Sequence, residues 1–148
     1  MTTNADPVRK TIERHTPPPS RIASCSCGQL QAQVGGEPLR VSVCHCLACQ
    51  RRSGSVFAAQ ARFPRNGFAV TGMSAEYVRV GDEGSKATFR FCPQCGATVY
   101  YTVEGMDESV AIPVGAFADP TFPAPGFSVY EERMHSWVSM PGGIERMA

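Results

Sequence analysis

An excess of charge of either sign is missing from this chain: 14 lysines and arginines face 13 aspartates and glutamates, a formal net charge of +1. No field of that size draws a protein to nucleic acid or to an anionic membrane, so neither is an expected partner. Long apolar runs are missing too. Val110 to Ala118, the longest candidate, is interrupted by Pro113 and Gly115 and falls well short of the roughly 18 residues a bilayer crossing requires. Residues 1–20 hold Arg9, Lys10, Glu13 and Arg14 without the apolar core of a secretory signal, and a cytoplasmic location is expected. Extended helical patterns are scarce, and 14 glycines with 12 prolines work against them. What remains is a chain of 148 residues, 43% hydrophobic and 18% charged, long enough for one core and too apolar to stay unfolded.

His15-Thr-Pro-Pro-Pro-Ser20 closes a segment without apolar periodicity, so residues 1–20 read as a flexible tail and 21–148 as a single domain. From Ile22 the pattern becomes one of short β-branched and aromatic segments broken by Gly, Pro, Asn and Asp, the signature of a mainly β fold. Leu30, Ala32 and Val34 alternate with glutamines, Gly35-Gly36-Glu37-Pro38 turns, and Leu39, Val41 and Val43 resume the alternation. This predicts a hairpin ending at Cys44. Further strands are expected at Val56–Phe63, Phe68–Thr71, Tyr77–Val80, Ala87–Phe91, Thr98–Val103 and Val110–Val114. Only Leu47–Ser53 invites a short helical turn, which argues against a parallel βαβ sheet.

Seven cysteines fall into three clusters: Cys25-Ser-Cys27, Cys44-His-Cys46-Leu-Ala-Cys49, and Cys92-Pro-Gln-Cys95-Gly96. A reducing compartment and an odd count both make metal ligation the better reading than disulfides. Cys92 to Gly96 has the form of a zinc knuckle, in which a tight turn aims two thiolates at one point. A closed structural site needs four ligands, so the knuckle requires a second pair. The middle cluster already supplies three vertices of one tetrahedron, which pairs the outer clusters with each other. The expected division is a closed site of Cys25, Cys27, Cys92 and Cys95, and an open site of Cys44, Cys46 and Cys49. Three protein ligands with one open position is the arrangement of catalytic zinc. Three thiolates make such an ion a weak Lewis acid and suit it to a soft sulfur ligand.

Plainer readings stand beside this one. His45 could complete the middle site as a fourth donor, although neighbours in an extended segment point opposite ways. Cys92 and Cys95 could form a redox pair, but no strand-then-helix context follows. Arg51 and Arg52 could clamp a substrate carboxylate or merely offset the anionic metal site. Trp137, Phe57, Phe89, Phe91, Tyr100 and Tyr101 read as core. His135 falls in a segment without a recognisable pattern and reads as a surface or core residue.

The motifs Cys25-Ser-Cys27-Gly28, Cys44-His-Cys46-x-x-Cys49-x-Arg-x-Ser-Gly54, Val70-Thr-Gly72 and Phe91-Cys92-Pro-x-Cys95-Gly96 together resemble those of the glutathione-dependent formaldehyde-activating enzymes. The resemblance spans Ser24 to Tyr101 and is much more specific than one isolated knuckle. It implies an Mss4-like fold of antiparallel sheets joined by zinc knuckles, with one structural zinc on the outer clusters and a second, catalytic and exchangeable, on the middle three cysteines. It further implies addition of the glutathione thiol to formaldehyde or a related small electrophile, a carbon–sulfur lyase reaction in reverse, with Arg51 or Arg52 holding a glutathione carboxylate. The Mss4-like fold also serves in zinc-stabilised binding modules without enzymatic activity, which is the alternative reading.

Overall fold

Short alternating segments become strands throughout the described residues. The computed structural model describes residues 19–148, so most of the expected tail lies outside the described residues, and Ser20 already belongs to the first strand. The elements are β1 (Ser20–Ser24), β2 (Gln31–Gly35), β3 (Arg40–Cys44), α1 (Leu47–Ser53), β4 (Ala58–Pro64), β5 (Ala69–Thr71), β6 (Ala75–Val80), β7 (Lys86–Phe91), β8 (Thr98–Val103), β9 (Ser109–Pro113), β10 (Phe127–Val129) and β11 (Glu145–Met147). Single 3₁₀ turns follow β9 and β10. The fold is mainly β, as the pattern of short turn-bounded segments predicts.

Two sheets carry the architecture. A small one runs β1-β2-β5, and a large one runs β11-β10-β3-β4-β9-β8-β7-β6. Strand alternation sorts the residues of the large sheet between its faces. Val41, Ala61, Phe63, Val110 and Ile112 turn toward Ala23, Leu30, Ala32 and Val34 around the small sheet, and together they form the main core. Phe63, Leu30 and Ile112 are fully buried, and each such side chain contributes about 1.5–3 kcal/mol relative to exposure. The opposite face presents Ala87, Phe89, Tyr101 and Ala111 as a second, smaller cluster. That face holds the chemistry described below.

Three expectations fail in instructive ways. β2 and β3 are separate members of two sheets, not a hairpin. The Gly35–Pro38 corner gives its amides to outside acceptors, Gly36 N–H to the Pro19 carbonyl and Leu39 N–H to that of Arg62. The corner therefore steps between layers. The large sheet is also not wholly antiparallel, because β10 runs parallel to both β3 and β11. Both strands are three residues long and arrive late in the chain, too short for alternation to announce them. Trp137 is no core residue: it lies 73% exposed in the irregular connection between the second 3₁₀ turn and β11.

Candidate metal centres and active site

The outer clusters meet through two turns built alike. Cys25 N–H bonds the Leu30 carbonyl at 3.0 Å and Cys92 N–H bonds the Ala97 carbonyl at 3.0 Å, so each knuckle closes on the residue five positions later. Within the second knuckle Gly96 adopts φ +79°, the left-handed conformation that lets its amide return to the Cys92 carbonyl at 2.8 Å. The result brings the sulfurs of Cys25, Cys27, Cys92 and Cys95 within 4.8 Å of one another. Cys25 and Cys92 are buried, whereas Cys27 and Cys95 are exposed. The alternative of a redox pair gains no support, since β8 and not a helix follows Cys95.

Gln29 ties the knuckles to a third segment, and nothing in the sequence singles it out. Its Nε2 donates to the Cys92 sulfur at 2.9 Å and to the Met73 carbonyl at 2.8 Å, while its Oε1 accepts from Met73 N–H at 2.9 Å. Gly72 makes that approach feasible, having φ +91° and no room for a Cβ, which would fall 1.9 Å from the Gln29 carbonyl oxygen. The Val70-Thr-Gly72 motif thus acquires a physical meaning. Burial opposes ionisation of Cys92, yet donation from Gln29 and from the amides of Cys95 and Gln94 outweighs it and brings the thiol down to about 6.

The middle cluster is assembled by a strand end and a helix start. Cys44 terminates β3, Cys46 caps α1 with its sulfur accepting from Cys49 N–H at 3.4 Å, and Cys49 sits three residues on, over the same face. Their sulfurs also lie within 4.8 Å of one another. His45 turns the other way. It is fully buried, its Nε2 meets Ser128 Oγ on β10 at 3.1 Å, and its ring packs edge-on against Phe57. Among the described residues, then, no fourth His, Cys, Asp or Glu joins this trio.

Arginines surround the trio. Arg52 lies over the rings of Phe89 and Tyr101 at 5.0 and 5.4 Å, and Arg79 reaches the Phe89 ring from β6 at 5.3 Å. The thiol hydrogen bond from Cys44 is the main influence drawing Cys49 down to about 5. Burial opposes it, while Cys46 and the positive charges of Arg52 and Arg79 assist. The same bond to Cys49, with burial, pushes Cys44 up. Arg51 is exposed. Arg52 lines a cavity of about 420 Å³ with Ser53, Phe57 and Thr98. The trio itself opens onto two others: one of about 290 Å³ that holds Cys44, Cys49, Arg79 and Tyr101, and one of about 390 Å³ that adds Cys46 and Tyr130. Sequence reasoning finds neither Arg79 nor Tyr101 as a site residue, because strand alternation alone does not reveal which face curls over the cysteines.

Both clusters can hold a metal ion. A tetrahedral ion with bonds of about 2.3 Å to sulfur sets its sulfurs about 3.8 Å apart, and the Cys25–Cys27 and Cys27–Cys92 separations are 3.6 Å. All-sulfur donor sets select soft or borderline ions over magnesium and calcium. All seven cysteines are free thiols.

No curated protein matches the chain significantly. Its fold is similar to that of a crystallised Rhodobacter sphaeroides protein, with a TM-score of 0.52 and 23% identity over 67% of this chain and 91% of the other. The profile of the glutathione-dependent formaldehyde-activating enzymes matches residues 20–137, which takes in both cysteine clusters and every strand from β1 to β10. With that match, the chain belongs to the family of glutathione-dependent formaldehyde-activating enzymes.

Proposed function

We propose that this protein adds a thiol such as glutathione to formaldehyde or a related small electrophile in the cytoplasm, and cleaves the adduct in reverse as a carbon–sulfur lyase. The reaction joins sulfur to the carbonyl carbon, and the thiol proton ends on oxygen, giving an S-hydroxymethyl thiol. Zinc fits both clusters. The observation that supports the reading most is the asymmetry of their donor sets, four sulfurs in one and three in the other.

Cys25, Cys27, Cys92 and Cys95 would hold a structural zinc, and Cys44, Cys46 and Cys49 a second. When bound at the trio, zinc supplies Lewis acidity and a preference for a sulfur anion. The chain's own groups complete the environment. Arg52 and Arg79 place positive charge beside the trio and favour an anionic sulfur there. The Tyr101 hydroxyl shares the groove with Cys44 and Cys49. Burial pushes it up to about 12, so it keeps its proton near neutral pH and can donate a hydrogen bond to the oxygen that develops during addition. Arg52 is better placed than the exposed Arg51 to meet a substrate carboxylate.

Zinc-loaded protein titrated with glutathione and formaldehyde, followed by NMR of the hydroxymethyl carbon, tests the reading. Adduct formation faster than the uncatalysed reaction is the expected result. A rate equal to the uncatalysed one rejects the activity.

A further inference from the structure

The register of the large sheet stacks three cross-strand pairs that end at the trio: Arg40 opposite Arg62, Ser42 opposite Gln60, and Cys44 opposite Ala58. The first pair is anomalous. Like charges directly opposite each other on neighbouring strands destabilise a sheet, and among the described residues neither arginine has an ion-pair partner. Arg40 is instead held against the Phe127 ring at 4.3 Å, with one terminal nitrogen at the Met147 sulfur, and its Nε is buried without a hydrogen bond. The second pair repeats the theme. Gln60, 7% exposed, donates through Nε2 to Ser42 Oγ at 3.1 Å, while its Oε1 is buried with no donor. Buried polar atoms of this kind ordinarily find partners. All four residues line the cavity that also contains Cys44 and Cys49.

We infer that this ladder selects the substrate thiol by one of its carboxylates, with Arg40, Arg62 and Gln60 as the specificity-determining residues. Arg40 and Arg62 take the carboxylate, Gln60 Oε1 accepts an N–H of the same molecule, and the thiol lies at the Cys44 end. The inference rests on the thiol-addition reading and adds to it the residues that choose among thiols. Dimensions agree. Arg40 stands four residues from Cys44, about 13 Å along the strand, and the long arginine side chains shorten that gap. A carboxylate one or two residues from the sulfur, at about 3.3–3.6 Å per residue, covers the remainder. The anion also accounts for the facing guanidiniums, since paired charged hydrogen bonds to a carboxylate offset their repulsion.

The test measures binding of glutathione and of its diester, which keeps the thiol and loses both carboxylates, to zinc-loaded wild type, R40Q, R62Q and R62K by calorimetry. Wild type is expected to bind glutathione about tenfold or more tightly than the diester, as a charged hydrogen bond is worth roughly that factor. R40Q and R62Q should each shrink the difference severalfold, what remains being the second carboxylate's contact with Arg52; R62K should restore part of it, and zinc content should stay constant. Relief of like-charge repulsion should leave both glutamine variants folded, which a thermal melt checks. Equal binding of the two thiols by wild type, or unchanged preference in R40Q and R62Q, overturns the inference. Turnover with formaldehyde separates the two readings. Preference without turnover sinks the formaldehyde reaction and keeps the carboxylate site, and turnover indifferent to both substitutions does the reverse.

Discussion

The two cysteine clusters share an element and a chemistry and differ in almost everything around them. The quartet sits on turns, closed by backbone hydrogen bonds and by Gln29, with Cys27 and Cys95 exposed to water. The trio is sunk between a strand end and a helix cap, with Cys44 and Cys49 buried, yet it opens onto cavities lined by Arg79 and Tyr101. Exposure therefore does not tell the two clusters' roles apart. What separates the two is that trio cysteines themselves line cavities and have the positive charges of Arg52 and Arg79 beside them, whereas the cavity next to the quartet is lined by Ser26 and Gly96 and not by its sulfurs. A four-sulfur site has satisfied its ion and has nothing further to offer a ligand.

Substitutions can break that contrast, and their effects on folding rank in a definite order. Cys95→Ala removes a quartet ligand. Because metal affinity at a structural site is folding free energy, the domain should lose its cooperative melt by circular dichroism; a wild-type melt would remove the structural role. Gly72→Ala forces a Cβ against the Gln29 carbonyl and a strained φ, and urea unfolding should show a loss of about 3 kcal/mol. Ser128→Ala leaves buried His45 Nε2 without its partner, which should cost about 1–2 kcal/mol in the same measurement. Cys49→Ala should change the melt least and turnover most, lowering bound zinc from two ions to one. If that variant retained full turnover, the trio would not be the reactive cluster. Tyr101→Phe sharpens the comparison further. It should lower the rate of adduct formation by roughly tenfold with zinc content intact.

Legibility in the sequence follows the range of the interaction involved. The cysteine clusters stand out because ligand chemistry is written in residue type and local spacing, and α1 matches the expected Leu47–Ser53 because its cap and its stop, Cys46 and Gly54, lie beside it. The strands between Val56 and Val114 lie within about two residues of expectation, as alternation is local too. Partners are another matter. The supposed hairpin at Gly35–Pro38 fails because its amides bond Pro19 and Arg62, choices made by the layers and not by the turn. Arg40 and Arg62 are unremarkable in sequence and become a pair only through the β3–β4 register. Gln29 and Ser128 act across 63 and 83 residues respectively, and no short-range signal marks either.

The parallel insertion of β10 beside β3 has a consequence for the order of events in a growing polypeptide. Cys44, Cys46 and Cys49 leave the ribosome some eighty residues before the strand that backs His45, and synthesis proceeds at about 5–20 residues per second. For several seconds the three thiols dangle without their backing, competing for whatever ion or oxidant the cell presents. An ion that the trio can hold therefore has access to it well ahead of the finished fold.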